Sequence, residues 1–171
     1  INLQRLELSA NQISNLLPLS GLTSLSQLLA LGHNQISELS PLSGLINLQV
    51  LDLAGNQISA LSPLSSLTNL EVLYLCINQI GDISPIANLT SLSLLWLQWN
   101  PLNAAAYDIY IPQIYANNPG IDLQYDDRSV WRTLTVSATA GGTVILPGEG
   151  QSQFVDGELV PIEAVTSDAS Y

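Results

Sequence analysis

The sequence is poor in positive charge, in cysteine and in long apolar runs. Three arginines and no lysine stand against 14 acidic residues, which gives a net charge of −11. Such a surface repels the phosphates of nucleic acids and of acidic lipids, so neither class of partner is expected. The single cysteine, Cys76, leaves no internal disulfide framework. Runs of about 18 apolar residues are missing as well, so no membrane-spanning helix is predicted.

A repeated motif dominates residues 1–103. Its asparagines recur at intervals of 23, 22, 22 and 22 residues and are Asn11, Asn34, Asn56, Asn78 and Asn100. Leucines lie three and five residues before each of them, within the motif L-x-x-L-x-L-x-x-N. The alternation L-x-L predicts a short strand whose leucines point inward and whose other residues point to solvent.

The second half of each repeat has a different period. Apolar residues recur every three positions, as at Leu39, Leu42 and Leu45, and this spacing favours short 3₁₀ turns over a long α-helix. One proline falls at the same place in four repeats and also disfavours a regular helix; these are Pro18, Pro41, Pro63 and Pro85.

The 22-residue period and the proline slot resemble the leucine-rich repeats of internalin-type proteins, over residues 1–103. The resemblance implies an α/β solenoid with parallel strands on a concave face and 3₁₀ turns on a convex face. It also implies that the five asparagines form a structural ladder, because their amides bond backbone groups of their own and neighbouring repeats. Five repeats are expected, the first opening in mid-repeat, since Ile1-Asn2-Leu3 matches Ile46-Asn47-Leu48.

The pattern changes after residue 103. Residues 104–127 predict a C-terminal cap, with a helix over about 104–117, a kink or break at Pro112 and one more strand after Gly120. Residues 128–171 are rich in threonine, valine and glycine, and they predict a small all-β module. This segment resembles the β-repeat modules that follow internalin-like repeats in bacterial surface proteins, and we expect it to be truncated at Tyr171.

Aromatic residues interrupt the leucines in the fourth and fifth repeats. The third, fifth, seventh and eighth positions of the motif point away from the core, and there the two repeats carry large apolar side chains. Exposed patches of this kind mark interaction surfaces. The alternative is that the cap, the β module or a second molecule covers them. The predicted partner-binding residues are Val72, Tyr74, Ile77, Leu94, Trp96, Gln98 and Trp99.

Other candidate sites carry weaker signals. His33 is the one histidine, and with Cys76 it forms neither a metal set nor a nucleophile–base pair. We expect a solvated surface position for His33 and a half-exposed thiol, open to reaction, for Cys76. Asp126 and Asp127 fit a solvated linker better than a cation site. The sequence therefore predicts no catalytic residue, no cofactor site and no metal site.

The function that this pattern favours is binding, and an enzyme is not expected. The resemblance implies a fragment of a bacterial secreted or cell-surface, adhesin-like protein that recognises a protein on a host or neighbouring cell through its concave face. Two alternatives stay open. The repeats serve as a structural spacer in a multidomain surface protein, or they form an intracellular regulatory scaffold, although the β module argues against the latter.

Overall fold

A computed structural model describes residues 3–127 and, beyond them, the backbone of four short strands. The chain divides into two compact units, Ile1–Asp126 and Asp127–Tyr171. The first unit contains the repeats. Among the described residues, none of the helices has the length and hydrophobicity that crossing a bilayer requires.

The first unit is built on a parallel sheet in which each strand pairs with the next one along the chain. This confirms the predicted parallel arrangement. Each strand has three residues, and its central side chain points to the core, as Leu29, Leu51, Leu73 and Leu95 do without any exposed surface. The six strands are β1 (Arg5–Glu7), β2 (Leu28–Ala30), β3 (Val50–Asp52), β4 (Val72–Tyr74), β5 (Leu94–Trp96) and β6 (Asp122–Gln124).

Short 3₁₀ turns lie on the other side of the core, as the three-residue spacing predicts. Each has a proline at one of its first two positions, where the missing backbone N–H of proline removes no helical hydrogen bond. The apolar residues of this side, such as Leu61, Leu64 and Leu67, are fully buried between the turns and the sheet. The turns span Leu17–Leu19, Ser40–Leu42, Ser62–Leu64 and Ser84–Ile86.

The asparagine side chains join one repeat to the next. The Nδ2 of Asn78 donates to the carbonyl of Leu75 in its own repeat and to that of Leu53 in the preceding repeat, both at 3.0 Å. Its Oδ1 accepts the N–H of Ile58 at 3.0 Å. Asn34, Asn56 and Asn100 form the same set of bonds and are buried. Asn11 is exposed and bonds to carbonyls of its own repeat, Leu8 and Ser9.

A helical segment covers residues 104–117 and differs in detail from the sequence prediction. The chain does not break at Pro112. Instead, a π-helical turn, Ala106–Tyr110, leads into helix α1, Ile111–Asn117, and the N–H of Ile111 bonds to the carbonyl of Ala106. A proline ring collides with the carbonyl four residues before it, and the wider turn removes that collision.

Asn118 fixes the end of this helical segment to the last repeat. Its Oδ1 accepts the N–H of Leu92 at 2.9 Å, and its Nδ2 donates to the carbonyl of Leu89 at 2.8 Å. The chain then enters β6, which extends the sheet beyond β5. The sequence does not reveal this role of Asn118, because the pattern Asn118-Pro119-Gly120 carries only a turn signal.

In the second unit the described residues form four short strands that pair antiparallel. β7 (Trp131–Thr133) pairs with β9 (Gln153–Val155), and β8 (Gly142–Ile145) pairs with β10 (Glu163–Thr166). Most of the segment 128–171 lies outside the described residues. The β-repeat-like module therefore stays a prediction, as does the role of residues 104–127 as a cap.

The asparagine ladder predicts that replacing asparagine by alanine lowers the free energy of unfolding by different amounts in different repeats. Asn78→Ala should lower the free energy of unfolding by about 3 kcal/mol, because it removes three hydrogen bonds. The buried N–H of Ile58 is left without its acceptor, and the carbonyls of Leu53 and Leu75 each keep one amide donor, from Asn56 and Asn100. Asn11→Ala removes an exposed amide, and it should change this free energy by less than about 0.5 kcal/mol. Urea titrations followed by circular dichroism compare the two variants. Equal losses would contradict the proposed importance of the bonds between repeats.

Candidate functional site

The candidate site lies on the solvent side of the six-stranded sheet, called here the sheet face. Strand register places equivalent residues of successive repeats side by side, about 4.8 Å apart. One row of the sheet face consists of Glu7, Ala30, Asp52, Tyr74, Trp96 and Gln124, and its neighbour consists of Arg5, Leu28, Val50, Val72, Leu94 and Asp122. The rows become more apolar toward β4 and β5.

Tyr74 and Trp96 form a ring pair at the centre of this apolar region. Their ring centroids are 5.1 Å apart and their planes meet at 85°, an edge-to-face arrangement. Such a pair contributes about 0.5–1.5 kcal/mol beyond the area it buries. Trp96 nevertheless keeps 37% of its surface exposed. The pair therefore holds two aromatic rings in a fixed orientation at the surface of the first unit.

The structure brings four of the seven predicted partner-binding residues together on paired strands. Val72 lies beside Leu94 as Tyr74 lies beside Trp96. Ile77 and Trp99 follow at the ends of these strands, with 51% and 57% of their surfaces exposed. We call these six residues, together with Gln98, the aromatic patch: Val72, Tyr74, Ile77, Leu94, Trp96, Gln98 and Trp99. Within the described part of the chain, the buried Oε1 of Gln98 has no hydrogen-bond partner.

A left-handed backbone conformation sets the direction of the eighth motif position. Ile77 and Trp99 have φ angles of 58° and 59°, a region that is unfavourable for a β-branched or bulky residue by about 1–2 kcal/mol. Ala10, His33 and Gly55 share this conformation, so it belongs to the repeat and not to the patch alone. The N–H of Ile77 bonds to the carbonyl of Gln98 at 2.9 Å, and this bond offsets part of the strain.

An open depression of about 380 Å³ extends from the aromatic pair toward the middle of the sheet. It is lined by His33, Asp52, Ala54, Tyr74, Cys76 and Trp96. Sequence reasoning found the aromatic side of this depression and missed Asp52, and it expected His33 to be an unremarkable surface residue. Asp52 shares a row with Tyr74 and Trp96, and this register is the signal that could have revealed it.

Two glycines allow polar side chains to lie low on the sheet face. A Cβ at Gly32 would meet Oδ2 of Asp52 at 2.7 Å, and one at Gly55 would meet Nδ1 of His33 at 2.6 Å. The Oδ1 of Asp52 also accepts the N–H of Ala54 at 3.0 Å. The carboxylate is therefore positioned by its surroundings before any ligand arrives.

The surroundings of Cys76 oppose the thiol reactivity that the sequence analysis expected. Burial and the nearby Asp52 carboxylate both raise the pKa of the Cys76 thiol. A raised pKa lowers the thiolate fraction at neutral pH, and the thiolate is the nucleophilic form. Although His33, Asp52 and Cys76 line one depression, no group of three such side chains among the described residues is arranged to hold a metal ion.

Asp126 has a structural role that the sequence analysis did not predict. Its carboxylate accepts the backbone N–H of Trp99. In the preceding repeats the equivalent N–H bonds to a carbonyl of the next repeat, as Gly55 does to Cys76 at 2.9 Å. The carboxylate thus replaces the carbonyl of a further repeat, and the expectation of a solvated linker is wrong for Asp126.

Comparison with known proteins identifies the repeats. A family model described as Leucine Rich repeats (2 copies) matches residues 27–66 and 46–88. The chain therefore carries leucine-rich repeats in the segment from 27 to 88. No curated protein sequence matches the chain.

Solved structures with the same fold include two internalins of Listeria monocytogenes. The internalin InlF is 33% identical over 70% of this chain with a TM-score of 0.57, and internalin C2 is 29% identical over 74% with a TM-score of 0.51. A leucine-rich-repeat protein of Leptospira interrogans is 27% identical over 72%, with a TM-score of 0.54. The chain spans 35%, 65% and 37% of the lengths of these three proteins, respectively.

The hydrogen bond from the N–H of Trp99 to the carboxylate of Asp126 can be tested by substitution. Asp126→Ala should lower the free energy of unfolding by about 1 kcal/mol, because the N–H of Trp99 loses its acceptor. Asp126→Asn keeps an oxygen acceptor and serves as the matched control, with an expected change within about 0.5 kcal/mol. Hydrogen exchange at the Trp99 amide should be faster in the alanine variant. The same exchange rate in both variants would argue against this bond.

Proposed function

We propose that the chain is a protein-binding scaffold that recognises a partner protein through the concave leucine-rich-repeat face. The partner-binding residues are those of the aromatic patch. The protein is a fragment of a bacterial secreted or cell-surface, adhesin-like protein, and its ligand is a protein on a host or neighbouring cell. This function involves no catalysed reaction. The chain binds its partner by presenting side chains on a rigid surface.

The observation that carries this proposal is the exposed Tyr74–Trp96 pair. A solenoid core needs neither side chain, because the leucines on both sides of each aromatic residue already fill the interior. Tyrosine and tryptophan are enriched among residues that dominate the energy of protein interfaces. Their orientation is fixed by the ring contact and by the strands, so little conformational entropy is lost when a partner binds.

The structural neighbours support the same function and the proposed location. Two of them are internalins of Listeria monocytogenes, and the sequence resemblance to internalin-type repeats covers strands β1 to β5 of the sheet. The match covers only part of each neighbour, so the ligand is not carried over from them. The proposal therefore rests on the side chains of this chain's own sheet face.

If the chain were a structural spacer, the aromatic patch would be covered, whereas a binding surface leaves it exposed. The exposure of the patch can be measured without a ligand. We expect acrylamide to quench both Trp96 and Trp99, with Trp99 the more accessible, because their exposed fractions are 37% and 57%. Fluorescence titrations of the full chain and of Trp96→Phe and Trp99→Phe separate the contributions. Loss of quenchable emission in Trp96→Phe supports an open face. Unchanged quenchable emission would mean that Trp96 is shielded and would favour the spacer.

A binding experiment tests the function itself. The fluorescently labelled full chain is titrated on cultured mammalian epithelial cells, before and after trypsin removes their surface proteins. We expect saturable, trypsin-sensitive binding that Trp96→Ala weakens about tenfold or more, since a truncated aromatic hot spot costs about 2 kcal/mol. Circular dichroism should show a folded variant, because the side chain lies outside the leucine core.

Ile46→Ala is the matched control for this experiment. Ile46 is also apolar and half exposed, but it precedes β3 and does not lie on the sheet face. Its loss should leave binding unchanged. Binding that resists trypsin, or that responds equally to both substitutions, would contradict recognition of a cell-surface protein through the aromatic patch.

A further inference from the structure

We propose that the depression beside Tyr74 and Trp96 receives a positively charged side chain, an arginine or a lysine, of the partner protein. This inference rests on the proposed function and specifies the chemistry of the ligand. It concerns the part of the sheet face where the aromatic patch meets Asp52, which apolar patterning alone does not single out.

The aromatic pair supplies two walls of the depression. The ring planes of Tyr74 and Trp96 meet at 85° with their centroids 5.1 Å apart, so they form a corner. The faces of tyrosine and tryptophan rings carry partial negative charge and attract cations within about 6 Å. Perpendicular aromatic walls are also the arrangement found in sites for ammonium groups. A cation in this corner approaches both rings.

Asp52 supplies a full negative charge at the adjacent edge. It lies beside Tyr74 in the paired strands, and its Oδ1 is held by the N–H of Ala54 at 3.0 Å. Gly32 leaves room for the carboxylate to lie against the sheet. On β1, Arg5 forms an ion pair with Glu7, and Asp52 takes no part in it. The electrostatic influence of Asp52 reaches across the depression, since it helps to raise the pKa of the Cys76 thiol.

Charge complementarity selects a cation over an apolar anchor. An aliphatic side chain placed here would remove water from the Asp52 carboxylate without offering it a partner, which is unfavourable. A guanidinium or ammonium group replaces that water with a charged donor. The chain as a whole favours such a ligand, because its net charge is −11. Among the residues that line the depression, His33 is the one basic side chain, and no arginine or lysine is there to pair with Asp52.

The depression is large enough to hold one long side chain. Its volume of about 380 Å³ is near the lower end of the range of about 300–1,000 Å³ that small-molecule sites occupy. A long, unbranched side chain fits this space and can lay its methylene groups on the aromatic rings while its charge reaches Asp52. The remaining contacts of the partner would then fall on Ile77, Leu94 and Trp99.

The test uses N-acetyl-arginine methylamide as the probe and N-acetyl-citrulline methylamide as its uncharged isostere. The indole N–H signals of the full chain are followed by NMR during titration, with the Trp96 signal assigned from a Trp96→Phe spectrum. We expect a saturable shift of the Trp96 signal with the arginine probe. The citrulline probe should produce a shift about tenfold smaller or none, because it cannot form the cation–π and ionic contacts.

Two acid-to-amide variants separate the effect of the Asp52 carboxylate on arginine binding from the effect of the net charge of the chain. Asp52→Asn keeps an oxygen that can accept the N–H of Ala54, and it should weaken arginine binding about fivefold or more. Glu71→Gln makes the same change in net charge at an exposed residue next to β4, and it should leave binding within about twofold of the parent. Equal weakening in the two variants would overturn the proposed role of Asp52.

The outcome is separable from that of the proposed function. If arginine and citrulline shift the Trp96 signal alike, or if neither gives a saturable shift, the cation site is refuted even when Trp96→Ala still abolishes cell binding. If the arginine probe binds and depends on Asp52, the cation site stands even when the cells tested carry no partner. Asp52→Asn in the cell-binding assay should then weaken the binding that Trp96→Ala weakens.

Discussion

The hydrogen bonds of the buried asparagine side chains are the interaction on which the first unit depends. Each repeat turns sharply after a three-residue strand, and the turn leaves carbonyls and N–H groups between two leucine layers where water does not reach. Leucine cannot satisfy them. The amide of Asn78 offers two donors and an acceptor, and it uses them on Leu53, Leu75 and Ile58. Without these bonds, stacking the leucines would bury polar backbone at a cost comparable to the gain from burying the leucines.

This constraint also determines what the sheet face can present. The bonds between repeats fix the strand register, and the register in turn fixes which side chains are neighbours. Asp52, Tyr74 and Trp96 are 22 residues apart along the chain, yet they form one row. The left-handed residue before each asparagine is directed outward for the same reason, so Ile77 and Trp99 are exposed although they are strongly apolar. The repeat thus converts a sequence interval into a spacing of about 4.8 Å on a rigid surface.

The sequence was sufficient for the sheet, the core and the 3₁₀ turns because these features depend on a period that five repeats share. It was sufficient for the exposed aromatic residues because they occupy motif positions that the same period directs away from the core. It was less informative where a single side chain acts on a distant backbone group. Asp126 and Asn118 each form such bonds, and neither has a pattern around it that marks the bond. The depression was missed in part because its polar side, His33 and Asp52, depends on Gly32 and Gly55 leaving space that residue type alone does not reveal.

The carboxylate of Asp126 has an implication for the evolution of such chains. It presents to the N–H of Trp99 an oxygen like the one that a following repeat presents to Ile77 or Gly55. The terminal segment therefore makes the same backbone connection that any repeat makes. Duplication or loss of whole 22-residue units upstream would leave this junction intact, so the number of repeats can change without redesign of the segment that follows them. Selection can in this way lengthen or shorten the sheet face separately from the segment that contains Asp126.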